Sequence, residues 1–176
     1  MRALWQRLRS DRGGTAAVEL ALIFPVLLTL SLGGFEVTHL VAARARLVAA
    51  TQAMAEMVAQ QTTVDSSAMS NFCAGATLAM APYATAGLTI SVASVTRSAT
   101  GTIGIDWQDT SCGNGSQIAN ATTLATPVIP SNNDSAIVVV ASYTYQSPLA
   151  YLLPGAFAMT ETAITRPRNV STITHS

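Results

Sequence analysis

The chain has no lysine, two cysteines, two histidines and few aromatic residues, and only 10% of its 176 residues are charged. Each shortage removes a class of function. The only imidazoles are His39 and His175, the latter one residue from the end, so a nucleophile, base and orienting group have nothing to assemble around. Two isolated cysteines without histidine at ligand spacing do not make a zinc pattern, and neither a metal nor a cofactor is expected. All nine cations are arginine. Beyond residue 14 only Arg44, Arg46, Arg97, Arg166 and Arg168 remain, against eight acids. That leaves no basic cluster to neutralise phosphates, and nucleic acid is not an expected partner. Asp106 and Asp109 flank Trp107, but the two-residue period of a strand puts i and i+3 on opposite faces, so they read as solvated strand-end acids rather than an acid–base pair. Gly113-Asn114-Gly115 lacks the lysine and third glycine of a phosphate-binding loop. The chain reads as a non-enzyme.

What is present in quantity is apolar surface. From residue 15 to residue 35 the sequence TAAVELALIFPVLLTLSLGGF contains neither lysine nor arginine. At 1.5 Å per residue it spans the roughly 30 Å core of a bilayer. Upstream lie Arg2, Arg7, Arg9 and Arg12 against a single Asp11, a cationic flank of the kind held in the cytoplasm while the apolar segment behind it crosses. One carboxylate, Glu19, sits inside the apolar run, where it costs about 2.5 to 3.5 kcal/mol at the bilayer centre and less near an end. Cleavage after Gly14 would make Thr15 the new N-terminus and place a cationic amine one helical turn from Glu19, on the same face. The positive end of the helix dipole also favours an anion there. The alternatives are an uncleaved single-pass anchor and an ordinary secretory signal cut near Ala43-Arg44-Ala45. The second sits too far from the apolar run, and the helical pattern crosses it.

A basic leader, a glycine at the cut, a glutamate as fifth residue of the product and a hydrophobic helix resemble a class III signal peptide of type IV pilins and pseudopilins. More narrowly, RGGTAAVELALIFPVLL resembles the opening of the TadE-like pseudopilins of the tight-adherence (Flp type IVb) pilus system. Leu20 stands where major pilins place an aromatic residue. The resemblance covers about residues 9 to 60, recurs at 136 to 168 around Arg166-Pro167-Arg168, and does not extend to the middle of the chain. It implies that a membrane prepilin peptidase cuts between Gly14 and Thr15. It further implies that Glu19 then pairs with the amine of a neighbouring subunit during assembly. The implied partners are other pilin subunits, the assembly machinery of the inner membrane and the bilayer itself. The exported part would lie in the periplasm or outside the cell. The alternative function is an uncleaved, membrane-anchored binding module.

Beyond the crossing, Val37, Leu40, Val41, Leu47, Val48, Met54, Met57 and Val58 recur at three- and four-residue intervals, which predicts that one helix continues over residues 15–61 with an amphipathic second half. Its apolar stripe is expected to pack on the exported part of the chain. Pro25 predicts a kink or local unwinding, and Gly33-Gly34 a second soft point. After a linker at 62–67, a second helix is expected to end before Pro82. Four β-rich segments come next, at 88–97, 102–109, 136–146 and 157–165. The polar stretch 110–135 reads as a surface loop. The N-x-S/T triplets at Asn114, Asn120, Asn133 and Asn169 carry no assignment. Three parts are therefore expected: a leader, 1–14; the long helix, 15–61; and an exported domain, 62–176. The fold class is α+β and pilin-like, a long N-terminal helix on a small antiparallel sheet. Cys73 and Cys112 lie downstream of the crossing, where disulfides persist, and read either as one bond or as two separate buried thiols.

Overall fold

A computed structural model describes residues 13–148 and 155–176. The leader arginines Arg2, Arg7, Arg9 and Arg12 lie outside the described residues. Helix α1 runs over Gly13–Ala59 without interruption. The local unwinding expected at Pro25 does not occur, and the Gly33-Gly34 pair is equally helical. Near the proline, Thr29 donates its hydroxyl to the Val26 carbonyl at 2.9 Å.

Strand β1 (Thr63–Val64), helix α2 (Ser66–Ala79), strands β2 (Leu88–Arg97) and β3 (Ile103–Cys112), the short helix α3 (Ala121–Ala125), and strands β4 (Ser135–Gln146), β5 (Ala156–Thr165) and β6 (Thr174–His175) complete the chain. The main sheet has the order β3-β2-β4-β5, with every pair antiparallel. A second, two-stranded sheet pairs β1 with β6 in parallel, so the expected linker is fastened to the chain's C-terminal end. Asp65 caps α2 by accepting the Ala68 N–H at 2.7 Å and the Ser67 hydroxyl at 2.9 Å. Those bonds hold its carboxyl below the usual carboxylate range, the backbone donor contributing most.

The sheet is covered on both faces. Ile90 and Val92 of β2 and Ile137, Val139 and Ala141 of β4 meet α1 and α2. The alternate residues Ala93, Val95, Ala136 and Val138 meet Ile118, Ala121, Ala125 and Ile129 on the opposite side. The stretch 110–135 is therefore not the surface loop that its polarity suggested. Ile118, Ala121, Ala125 and Ile129 are fully or almost fully buried and close the back of the sheet.

The helix meets the sheet through most of the expected stripe, with alanines completing the contact. Ala43, Leu47, Ala50, Met54 and Val58 are fully buried, whereas Val37 and Val41 are 55% and 62% exposed. Alanine's small side chain lets the helix approach the sheet, which a ranking by hydrophobicity does not register.

Candidate functional site: the bare helix stem and its junction with the domain

From residue 14 to residue 31 every residue of α1 is exposed, and none of the described residues before Glu36 is buried. Val18, Leu20, Leu22, Ile23, Phe24, Val26, Leu27 and Leu30 stand open, which marks a helix made for a surrounding other than water. This stretch is long and apolar enough to cross a bilayer. Gly14 and Thr15 open it. At Gly14 an added Cβ would meet nothing within 4 Å. Glu19 lies on the exposed surface, and among the described residues it has no ion-pair partner.

The domain begins at Glu36. This carboxylate is fully buried, and the Tyr145 hydroxyl donates to its Oε2 at a long 3.5 Å. Burial, then the Glu36 carboxylate, pushes the Tyr145 phenol above its ordinary value. Burial, then Tyr83, does the same for Tyr143. Tyr83 donates to the His39 backbone carbonyl at 3.1 Å. The rings of Phe35, His39, Tyr83 and Tyr145 succeed one another with centroids 4.3, 6.3 and 6.2 Å apart. Sequence reasoning missed Glu36. Its signal was available: it is the one acid at the end of the apolar run, one residue after Phe35 and eight before the first cation past the leader.

Higher on α1, Arg44 Nε meets Glu161 Oε1 at 2.8 Å, and Arg168 Nη2 meets Glu56 Oε2 at 2.6 Å while its N–H donates to the Ala59 carbonyl at 2.9 Å. Arg166 pairs with Asp134. Arg166 and Arg168 are thus half-exposed clasps that bind the C-terminal segment to β4 and to the end of α1. Exposed pairs of this kind contribute about 1 kcal/mol or less each. Cys73 on α2 and Cys112 at the end of β3 form a disulfide, with Cα atoms 5.7 Å apart.

The two aspartates of β3 differ from the expected solvated acids. Asp106 accepts from the hydroxyls of Ser94 and Thr96. Asp109 accepts from the Ser111 N–H at 2.9 Å and lies 3.4 Å from His175 Nε2, with its side chain only 13% exposed. That contact lacks hydrogen-bond geometry. The Trp107 indole donates to the Ile173 carbonyl at 2.7 Å, so this cluster pins the C-terminus across β3. Among the described residues no group of three His, Cys, Asp or Glu could hold a metal.

Residues 14–56 match the family described as TadE-like protein. That part of the helix is similar to the TadE-like family. The match covers the bare stem and most of the packed half of α1, and the sheet lies beyond it. No curated protein and no solved structure matches the chain. The matched segment carries Gly14, Thr15, Glu19 and Glu36, and the TadE-like family is a structural, pilus-related one.

Proposed function

We propose that this chain is a pseudopilin-like or minor-pilin-like structural subunit that acts in the assembly of a type IVb, tight-adherence pilus. The observation that supports this reading is the TadE-like stem itself: an apolar helix exposed on all sides, with one unpaired acid a turn beyond the proposed cut. A prepilin peptidase removes residues 1–14, and the amine of Thr15 becomes the missing counter-charge for Glu19, on a neighbouring subunit once assembly begins. The stem spans the inner membrane once, with the leader cytoplasmic and the domain outside. The disulfide accords with that side of the membrane.

The test is N-terminal analysis of the natural product together with a Glu19→Ala variant. A mature chain beginning at Thr15, and a variant that inserts in the membrane yet builds no pilus, is the expected result. Wild-type assembly by Glu19→Ala overturns the pairing. An intact Met1 favours the other reading, in which the stem is only an anchor and the domain a tethered binding module.

A further inference from the structure

The two ends of the domain differ in charge. At the end away from the stem lie Glu56, Asp65, Arg97, Asp134, Arg166 and Arg168, of which Arg166–Asp134 and Arg168–Glu56 form the clasps of the C-terminal segment. The end next to the stem is built from the turn between α2 and β2, the turn after β3 and the facing ends of β4 and β5. Tyr83 reaches the His39 carbonyl, an added Cβ on Gly113 would lie 2.2 Å from the Leu88 carbonyl oxygen, and Phe157 pairs with Tyr145 in the sheet. Residues 80–88, 112–118, 146–148 and 155–157 contain no Asp, Glu, Lys or Arg. Glu36, the one acid at this level among the described residues, is sealed beneath Tyr145. A groove of about 560 Å³ opens here, lined by Pro82, Tyr83, Ala84, Tyr145 and Pro148 with His39.

The stem leaves no slack between this rim and a bilayer. Residues 14 to 35 make about 33 Å of helix at 1.5 Å per residue, against a hydrocarbon core of about 30 Å. Glu36, the next residue, is already inside the domain. A helix of that length, seated in a membrane, carries the rim down to the headgroups, where half-exposed tyrosine and uncharged turns are at home and exposed carboxylates are not.

We infer that the charge-free rim is a membrane-docking surface, and that the domain rests on the outer face of the bilayer, its turns at headgroup depth, while the subunit awaits assembly. This rests on the membrane-anchored reading of the stem. The rim then acts as a stop that fixes how deeply the stem sits, and so the depth of Glu19 near the opposite face.

Single tryptophans placed in the full chain, with Trp5 and Trp107 replaced by Phe, test this in vesicles of phosphatidylcholine whose acyl chains are brominated near the headgroup. Leu28→Trp reports the stem, Ala84→Trp the rim and Ala99→Trp the far end; all three native side chains are exposed. Ala86→Trp repeats the rim measurement at a second exposed position. The expected result is loss of about half the emission at Leu28→Trp and at both rim positions, and little change at Ala99→Trp. Quenching at Leu28→Trp with none at either rim position overturns the docking and leaves the anchor standing. No quenching at Leu28→Trp overturns the membrane reading, and the docking with it.

Discussion

Loss of the Cys73–Cys112 disulfide should destabilise the domain by a large share of its total stability. The bond joins α2 to the end of β3 across 39 residues of sequence, a loop that includes β2 and the hairpin. The chain-entropy relation gives about 4 kcal/mol for a loop of that size, through the freedom that the open chain regains when unfolded. Small domains are stable by about 5 to 15 kcal/mol. Reduction, or a Cys73→Ala/Cys112→Ala double variant, therefore removes between a quarter and most of it. The assay is urea unfolding of the detergent-solubilised chain, monitored by the fluorescence of Trp107, whose indole is bonded to the Ile173 carbonyl. With a slope of about 1.5 kcal/mol per molar urea, the midpoint should fall by about 2 to 3 M. The slope itself should rise, because an unfolded chain free of the loop exposes more surface. A midpoint unchanged on reduction would refute the entropic reasoning and show that packing of α2 against α1 alone fixes this side of the domain.

Gly113→Ala should lower Tm by several degrees relative to Gly104→Ala. Gly113 has φ +72°, and an added Cβ would lie 2.2 Å from the Leu88 backbone oxygen, whereas nothing lies within 4 Å of one at Gly104; equal Tm values would refute the close approach. Asp65→Ala should lower Tm at neutral pH by removing the α2 cap. The folded carboxyl of Asp65 is depressed below its unfolded value, so its contribution is present above the ordinary carboxylate pKa of about 4 and is lost as the pH falls through the lower folded value. The gap between wild type and Asp65→Ala should therefore close in acid, and a gap that persists once the carboxyl is protonated would sink this assignment.

The sequence made the elements legible where one physical signal dominated. The stem reads from its unbroken apolar length, and β2 from the β-branched run LTISVASVTR. Partners across space are where reading failed. The polar stretch 110–135 hid a back layer because Ile118, Ala121, Ala125 and Ile129 are separated by residues that face water, and nothing local says that the sheet needs a second cover. The strand AIVVVA at the start of β4 was a hint, since a continuous apolar run marks a strand buried on both faces. The pairing of β1 with β6 joins residues over a hundred positions apart and leaves no trace in either dipeptide. On α1 the stripe's Leu47, Met54 and Val58 were legible, whereas the alanines that complete the contact, Ala43 and Ala50, were not.

Glu19 and Glu36 bracket the stem, with no lysine or arginine between Arg12 and Arg44. The fold treats the two acids in opposite ways. Glu36 is enclosed by the domain, under a tyrosine hydroxyl and shut off from solvent, so its desolvation is met within the chain by hydrogen bonding. Glu19 is given nothing of the kind: it stands on a bare helix among exposed Val18, Leu20 and Leu22. Under the proposed function, Glu19 is neutralised by the chain's own new terminus or by another subunit. Substitution at the two positions should therefore separate cleanly. Glu36→Ala leaves the Tyr145 hydroxyl without its acceptor and should lower the Tm of the isolated chain, whereas Glu19→Ala should leave that Tm unchanged. A Tm drop at Glu19→Ala would mean that Glu19 serves the fold rather than the assembly.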